Sequence, residues 1–488
     1  MSRYRVSVVA GILVIFGVLY AMLSLGNHMM FRTYGLDLGV YTKTLYDYAH
    51  LHVNDCTFFL REPSNQLSDH FDLHLILLSP LVYVFGEYTL LIVQLMAVLL
   101  GMLGMYRLAK LFSDSEWLAM LAMLLLALQF GVWHAASFDY HSNVVSAMLL
   151  PWLLYFVGRQ KTWGVVLMAA AIAIAKETSA LWVTFVLVAL LWDWRRDRQM
   201  RQTLGFTALG CLVYFLTVTI WVMPALGSGG STGFWRYSWM GDNVVEMARW
   251  IVAHPLQAIH DIFVDFNPGA ECTRFKTEFF VCALLSGGVL LLLKPNYLLM
   301  LVPPVAMKML SCDNVFWGVG YQYNAEVAAV LAVSTIAAVK VLDTTPHLHN
   351  SSFPKWLVTA TVICTLCTLL YTVGNPQTII RKDSVRVFDA RHWRQSDFDI
   401  DVARRMLKQI PLDASVCATS MFTTHLITRE NIYLFPVGTD YGAEYYMLLK
   451  HHWCYAGDEE AEVAKIINDT KHYRVVDTDG IIYLLQKK

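Results

Sequence analysis

Long apolar runs separated by polar loops dominate the first three quarters of the chain. After a first run at 6–25, the others lie at 88–108, 117–133, 144–156, 163–175, 180–192, 205–223, 279–293, 297–310, 325–341 and 356–373. A helix needs about 20 mostly apolar residues to cross a bilayer. We therefore predict a polytopic α-helical membrane protein with about 11 transmembrane helices. A further run, 71–85, is short and contains Asp72, His74 and Pro80, which favours a re-entrant or interfacial helix.

The first apolar run resembles the core of a signal peptide, because Arg3 and Arg5 precede it. The run is long for a signal peptide and is not followed by a convincing cleavage site of small residues. We therefore expect it to be a retained transmembrane helix.

Basic residues mark one side of the membrane. They cluster at alternate ends of the predicted spans, at Arg3, Arg5, Arg107, Lys110, Arg159, Lys161, Arg195, Arg196, Arg198, Arg201, Lys294, Lys340 and Lys355. Lys and Arg are enriched in cytoplasmic loops. We predict a multi-pass protein of the inner cell membrane with a cytoplasmic N-terminus. The long loops 26–87 and 224–276, and the chain after residue 374, are then extracytoplasmic.

The C-terminal part has a different pattern. Residues 1–374 form the predicted transmembrane domain, and 375–488 are predicted to form a small soluble α/β domain of usual domain size. Its predicted elements are short helices at 402–410 and 459–468, β-like runs at 414–419 and 432–435, and a hairpin of 473–477 with 480–485. The tripeptide Thr478-Asp479-Gly480 supplies the turn of that hairpin.

Composition narrows the class of protein. The chain is 56% hydrophobic and 15% charged with a net charge of −1, whereas soluble domains carry about 25% charge. Nucleic acid is not expected as a partner, and no nucleotide-binding glycine motif is present. From the nine cysteines we expect no zinc site or redox motif. Cys417 and Cys454 would be able to pair outside the cytoplasm, although chance placement explains them better.

Polar residues that are far apart in the sequence fall near the predicted outer face. They are Asp37, Asp69, His70, Asp72, His74, Asp139, His141, Lys176, Glu177, Tyr321, Tyr323 and Glu326. Ionisable residues at membrane depth mark substrate paths by default. A lysine is a compact charge suited to phosphate, and Lys176 adjoins a glutamate at the outer end of an apolar helix. We therefore expect Lys176 and Glu177 to line a cavity.

Simpler explanations exist for the acidic residues and histidines in this set. Asp37 follows the first span, where a carboxylate is costly unless it faces water, a partner or a substrate, but it would also serve as a helix cap. Asp139 and His141 would fit a solvated turn. His70 and His74, four residues apart, would share a helix face and bind a divalent metal. Dependence of the activity on a metal therefore stays open, and no other cofactor is expected.

Lys176 and the tyrosines also have simpler explanations. The long side chain of Lys176 is able to reach the headgroups while its stem stays among lipids. Tyr321 and Tyr323 would fit an aromatic belt at the membrane interface.

Several motifs, in this order along the chain, carry a resemblance to a known family. They are Tyr34-Gly-Leu-Asp37-Leu-Gly39, Asp69-His70-Phe71 with Pro80-Leu-Val-Tyr83, Leu90-Leu-Ile-Val-Gln94, His141, Lys176-Glu177, Tyr321-Gln-Tyr323, and in the tail Ile410-Pro-Leu-Asp-Ala-Ser-Val-Cys-Ala418, His425-Leu-Ile-Thr-Arg429 and Tyr433-Leu-Phe-Pro436. The chain resembles the prokaryotic membrane protein family termed domain of unknown function 2079. It is similar, more distantly, to the C-type glycosyltransferase superfamily.

The resemblance implies a transferase that takes a sugar from a polyprenyl-phosphate donor and passes it to a glycan, lipid or protein outside the cytoplasm. An aspartate of the first outer loop is the usual base, and Asp37 matches that position. Lys176 and Tyr323 would bind the donor phosphate, supported by Asp69, His70, His141, Glu177 and Tyr321. This chain departs from the family pattern in having Thr178 after Lys176-Glu177, and Ser142 after His141.

Two other classes of function remain open. A transporter or flippase would have a similar hydropathy pattern, but transporters often contain internal repeats, and this sequence has none that we detect. A non-catalytic membrane subunit that positions a partner is also compatible with the large outer domain. The clustering of polar residues at one face favours the enzyme.

Overall fold

The computed structural model describes residues 3–53, 57–59, 65–227, 234–265, 274–345, 351–374, 382–452, 455 and 457–488. The chain forms two compact units, each built from three separate segments. The first unit comprises Met1–Ala21, Leu67–Leu73 and Gln94–Val385, and the second comprises Met22–Gln66, His74–Val93 and Arg386–Lys488. Cys454 lies outside the described residues. The boundary at 374, which concerns the two sides of a membrane, stays a prediction.

Helices make up the first unit. Its α-helices, including two that continue into the second unit, are Arg3–Met29, Thr89–Phe112, Glu116–Ala127, Phe130–Ala136, Ser142–Gly158, Thr162–Ala173, Glu177–Asp193, Arg198–Thr217, Met223–Leu226, Val244–Ala253, Pro255–Phe263, Phe275–Leu285, Leu298–Met309, Ala325–Asp343 and Phe353–Gly374. Helix Ala325–Asp343 is buried along nearly its whole length. It is apolar on every side, as a helix at the centre of a bundle must be.

The helices long enough to cross a membrane are fewer than the sequence predicts. Among the described residues, five qualify by length and composition: Ser7–Met29, His74–Phe112, Arg198–Leu226, Ala325–Asp343 and Phe353–Gly374. A sixth is obtained if Glu116–Ala127 and Phe130–Ala136, which are bent by 52° relative to each other, count as one span. Several other predicted spans form shorter helices, such as the 12-residue Leu298–Met309 with Pro303 and Pro304 inside it. The fold is therefore helical and membrane-like, and the count of about eleven stays a prediction.

Two predicted segments, 71–85 and 88–108, join in the structure. They form one helical run, His74–Phe112, of 39 residues. Its first part is divided into short helical turns. Pro80 lies in a 3₁₀ turn, and Gly86 has φ of 56°. Glycine adopts such a positive φ without strain. The short helix Val82–Phe85 ends at Gly86, and the 3₁₀ turn Gly86–Tyr88 leads into the long helix Thr89–Phe112.

A five-stranded sheet forms the core of the second unit. Its strands are β1 (Val416–Ala418), β2 (Ile432–Leu434), β3 (Tyr445–Leu449), β4 (Tyr473–Thr478) and β5 (Ile482–Lys487), in the order β2-β1-β3-β5-β4. Strand β1 runs parallel to β2 and β3, whereas β5 is antiparallel to β3 and β4. The predicted C-terminal sheet and its terminal hairpin are confirmed, and β3 is an additional strand.

Helices and loops surround this sheet. The α-helices of the second unit are Val40–Ala49, His74–Leu78, Val82–Phe85, Ile400–Leu407, Ser420–Thr423 and Glu459–Asn468. Arg32, near the end of the first helix, donates to the backbone carbonyls of His392 at 2.7 Å and Arg391 at 2.9 Å. A buried guanidinium with carbonyl partners fixes two distant segments to each other. The residues after the first helix and the tail therefore fold together.

The described cysteines are not disulfide-bonded. Cys417 is buried in β1 as a free thiol, and whether it pairs with Cys454 stays untested. Cys364 and Cys367 have the spacing Cys-x-x-Cys, and both are free and exposed on the apolar helix Phe353–Gly374.

Candidate functional site

A charged cluster forms where the loop at 67–73 meets the turn before helix Glu177–Asp193. The backbone N–H of Leu73 donates to the carbonyl of Ile174 at 3.0 Å, and that of Phe71 donates to Oε2 of Glu177 at 3.0 Å. Lys176 Nζ donates to Nε2 of His70 at 3.3 Å. On the other side of the ring, His70 Nδ1 lies 3.5 Å from Oε1 of Glu177. One imidazole thus lies between a lysine and a glutamate.

Glu177 is the buried anion of this cluster. Burial by itself would raise its pKa, but the adjacent His70 ring and the charge of Lys176 lower the pKa to about 2. The carboxylate is therefore ionised at neutral pH. It balances the positive charge of Lys176 and lies against the Nδ1 side of the His70 ring.

A second group of polar residues joins the start of helix Ala325–Asp343 to the helix Ser142–Gly158. Asn143 Nδ2 donates to Oε2 of Glu326 at 3.2 Å and to the carbonyl of Gln322 at 3.3 Å. Asn143 therefore ties the helix Ser142–Gly158 to the start of helix Ala325–Asp343.

Aromatic rings continue from this region. Phe138 stacks on His141 with ring centroids 5.6 Å apart and meets the edge of Tyr321 at 4.8 Å. Tyr323 stacks on Phe316 at 3.9 Å. Tyr321 has φ of 59°, an uncommon left-handed angle for a non-glycine residue that often marks a functional site.

Lys308 holds this loop, and sequence reasoning missed it. The side chain is only 2% exposed. Its amine donates to the carbonyl of Gly318 and, at 2.7 Å, to Oδ1 of Asn324. A lysine between two methionines in an apolar segment is a signal that would have identified it. Asn143 was also missed, and it carries no comparable signal.

Asp37 lies in the second unit. It occupies the first turn of a π-helical segment, Gly35–Gly39, that leads into helix Val40–Ala49. The N-cap positions belong to Tyr34 and Gly39 and make no side-chain cap, so Asp37 is not at a cap position. The dipole of a helix stabilises negative charge in its first turn.

The glycines beside Asp37 have a packing reason. A Cβ at Gly35 would lie 2.8 Å from Cδ1 of Leu434 and 2.9 Å from Oγ1 of Thr423. The Gly35 N–H also donates to Oγ of Ser420 at 2.8 Å. Gly35 therefore lets the tail approach this backbone closely, which the sequence did not indicate.

Two further explanations that the sequence offered are also wrong. Helix His74–Leu78 begins at His74, so His70 precedes the helix and the two histidines do not share a helix face. Asp139 is fully buried and His141 is 5% exposed, so they do not form a solvated turn. Lys176 is half-buried and contacts His70.

Comparison with solved structures identifies the fold. ArnT from Cupriavidus metallidurans in the apo state is similar at 11% identity, with 98% of this chain and 97% of that chain covered and a TM-score of 0.52. ArnT from Cupriavidus metallidurans bound to undecaprenyl phosphate matches at 11% identity, 99% and 98% coverage and a TM-score of 0.45. AglB from Archaeoglobus fulgidus, in complex with an inhibitory peptide and a dolichol-phosphate, matches at 11% identity, 92% and 70% coverage and 0.48.

These structural neighbours are C-type glycosyltransferases. At 11% identity the similarity concerns the fold alone. Apo ArnT, with a TM-score of 0.52, is the neighbour that supports it. A comparison with curated proteins gave no match. The profile of a family described as "Predicted membrane protein (DUF2079)" matches residues 27–466. This is most of the 488 residues. The chain belongs to the DUF2079 family of predicted membrane proteins.

Proposed function

We propose that this protein is a membrane glycosyltransferase that moves a sugar from a polyprenyl-phosphate donor to an extracytoplasmic glycan, lipid or protein acceptor. The observation that carries the proposal is the cluster of Lys176, His70 and Glu177. Lys176 Nζ lies 3.3 Å from a ring nitrogen of His70. The Lys176 ammonium has three N–H donors and gives one of them to His70, so the others serve an anion such as a phosphate in this proposal.

The donor chemistry follows from that cluster. When the glycosidic bond to the phosphate breaks, the phosphate leaves as an anion, and a positioned cation stabilises the developing charge. Lys176 is that cation in our proposal, with Tyr323 as a further donor to the phosphate. Undecaprenyl phosphate is bound in one ArnT structure; for this chain, a lipid phosphate of that class is inferred from the cluster.

The acceptor chemistry requires a base. An acceptor hydroxyl attacks the anomeric carbon and loses its proton, and a carboxylate within hydrogen-bond reach is able to take it. We assign this role to Asp37, because its position matches the aspartate of the resembling superfamily. His141, Asp69 and Tyr321 support the cavity in this proposal.

The membrane arrangement is part of the proposal. We propose about 11 spans, including helices shortened or bent at glycine and proline, a cytoplasmic N-terminus and an extracytoplasmic domain after residue 374. Reporter fusions at Arg196 and Lys488 are expected to report opposite sides of the membrane. The same side for both fusions would contradict this topology.

The base is tested by the variant Asp37→Asn. Asparagine has nearly the shape of aspartate but does not accept the proton, so the transfer rate should fall by about two to four orders of magnitude. Purified protein is assayed with a polyprenyl-phosphate sugar, and thermal stability is recorded alongside. The matched control is Asp401→Asn, whose side chain is 92% exposed.

The outcomes separate the candidates. Normal transfer by Asp37→Asn would remove Asp37 from the mechanism, and Asp69→Asn would then be assayed in the same way. Wild-type protein that moves the lipid-linked sugar across a vesicle membrane without transferring it would identify a flippase and contradict the proposal.

A further inference from the structure

Three metal-ligating side chains come together in the second unit. His28, Glu87 and His425 each offer one ligand atom, and these atoms all lie within 4.8 Å of one another. The residues come from the three separate segments of that unit, Met22–Gln66, His74–Val93 and Arg386–Lys488, one from each. Each segment thus contributes one ligand to the same point.

Neighbouring groups orient the first histidine. Nδ1 of His28 lies 2.8 Å from the Thr33 hydroxyl, which in turn lies 3.1 Å from the hydroxyl of Thr424. Metal-bound histidines are commonly fixed through their second nitrogen in this way. That contact leaves Nε2 of His28 for the cluster.

Both histidines present a buried nitrogen. His28 is fully buried, and its ring stacks on that of His425 with centroids 4.2 Å apart. Nε2 of His28 and Nε2 of His425 are buried and have no hydrogen-bond partner among the described residues. A buried polar atom without a partner costs about 1–3 kcal/mol. Both Nε2 atoms lie near the Glu87 carboxylate, so a single ligand would be able to satisfy all three groups.

Ordinary contacts do not supply that explanation. In the described part of the chain, no carboxylate oxygen of Glu87 lies within 4.0 Å of a ring nitrogen of His28 or His425, so Glu87 forms no ion pair with either histidine. Ring stacking accounts for the faces of the imidazoles but not for their nitrogens. A small cation between the three groups would satisfy both nitrogens and the carboxylate at once.

We propose that His28, Glu87 and His425 bind a divalent transition metal, with zinc as the best match, and that the metal ties together the three segments of the second unit. Two imidazoles and one carboxylate are a common zinc ligand set and leave a fourth tetrahedral position for water or another ligand. Imidazole ligands favour zinc over magnesium or calcium. The proposal is independent of the glycosyltransferase activity.

The test is zinc binding by the full-length protein in detergent. Protein stripped with a chelator is titrated with zinc alone, and bound metal is measured by mass spectrometry after dialysis. We expect one tight equivalent in the wild type and an increase in thermal stability on zinc addition. Glu87→Gln and His425→Ala should each weaken zinc binding by at least about tenfold. His472→Ala, whose side chain is 60% exposed, is the control and should bind like the wild type.

The result that overturns the proposal is equally direct. Zinc affinity in Glu87→Gln equal to that of the wild type, or no stoichiometric uptake by the wild type, excludes this site. If His425→Ala fails to fold, the isosteric Glu87→Gln decides. Because neither readout uses sugar transfer, an inactive protein that binds zinc supports the site and counts only against the proposed activity.

Discussion

Buried lysines and a half-buried lysine of the first unit differ in the atoms to which their amines donate. Lys276 is buried and donates to the carbonyls of Asp261 at 2.5 Å, Val264 at 2.9 Å and Met309 at 2.9 Å. An ammonium has three donors, so oxygen atoms satisfy all of them. Lys308 is similar, because Gly318 and Asn324 accept from it and its amine lies 4.6 Å from the ring centroid of Phe279.

Lys176 is in a different environment. It is half-buried, and its amine donates to a ring nitrogen of His70 at 3.3 Å. The carboxylate of Glu177 lies on the far side of that ring. The difference gives a physical criterion for the proposed role of Lys176. A lysine whose donors end on oxygen atoms of its own fold stabilises that fold, whereas a half-buried lysine that gives one donor to a ring nitrogen keeps donors for the anion we propose.

The comparison predicts its largest effect at Lys308. Lys308→Met leaves Oδ1 of Asn324 buried without its lysine donor, which costs about 1–3 kcal/mol. It also removes one of the two hydrogen bonds to the Gly318 carbonyl, which keeps that from Nδ2 of Asn324 at 3.2 Å. We expect unfolding in detergent to show roughly 2–4 kcal/mol of destabilisation. Lys161→Met, on an exposed lysine, is the control and should unfold like the wild type. Equal stability of both variants would show that Lys308 is not structural.

Glu177 provides a pH test of the cluster. Its folded pKa of about 2 lies below the ordinary value of 4.5, so its contribution is fully present above pH 4.5 and is lost as pH falls from 4.5 towards 2. Glu177→Gln should therefore be less stable than the wild type at pH 7, by on the order of 2–3 kcal/mol. The gap should narrow as thermal unfolding is repeated from pH 7 down to pH 3. A constant gap at every pH would mean that the carboxylate charge does not act in the cluster.

Replacing Lys176 should reduce donor affinity and leave stability nearly unchanged, whereas replacing Lys308 should reduce stability. Lys176→Met removes a charged hydrogen bond to the proposed phosphate, worth about 1.5–3 kcal/mol, so affinity for a polyprenyl phosphate should fall roughly 10- to 100-fold. Stability should change little, and Lys176→Arg should recover part of the affinity. Donor affinity is measured by titration in detergent with Lys161→Met as the control. Unchanged donor affinity would leave Lys176 as a lysine that reaches the headgroups.

The sequence predicted the periodic parts of the molecule well. The apolar runs, the tail helices and the terminal hairpin all have a clear repeat or turn signal. Strand β3 was missed because all five of its residues are buried, so it lacks the alternation of a half-exposed strand. Apolar runs interrupted by proline, such as Leu298–Met309, look like spans in hydropathy but form helices too short to cross a bilayer.

The site was harder to predict than the fold. Lys176, Glu177 and His70 stood out as charged residues in apolar surroundings, and the structure does bring them together. Asn143 has partners 179 and 183 residues away, and no local pattern indicates such contacts. The proposed metal-ligating residues of the second unit lie about 60 to 400 positions apart in the sequence, a distance at which single-sequence periodicity carries no information.

The smallest effect concerns the loop that Lys308 holds. Tyr323 stacks on Phe316 with ring centroids 3.9 Å apart and an interplanar angle of 24°, and phenylalanine would keep that stack. Tyr323→Phe therefore removes only the hydroxyl, whose net hydrogen bond to a phosphate is worth about 0.5–1.5 kcal/mol. We expect donor affinity to fall about two- to tenfold with no change in thermal stability. Tyr155→Phe, near the predicted cytoplasmic end of helix Ser142–Gly158, is the matched control. If Tyr323→Phe binds the donor as the wild type does while Lys176→Met does not, the ammonium alone recognises the phosphate, and Tyr323 becomes an aromatic of the membrane interface.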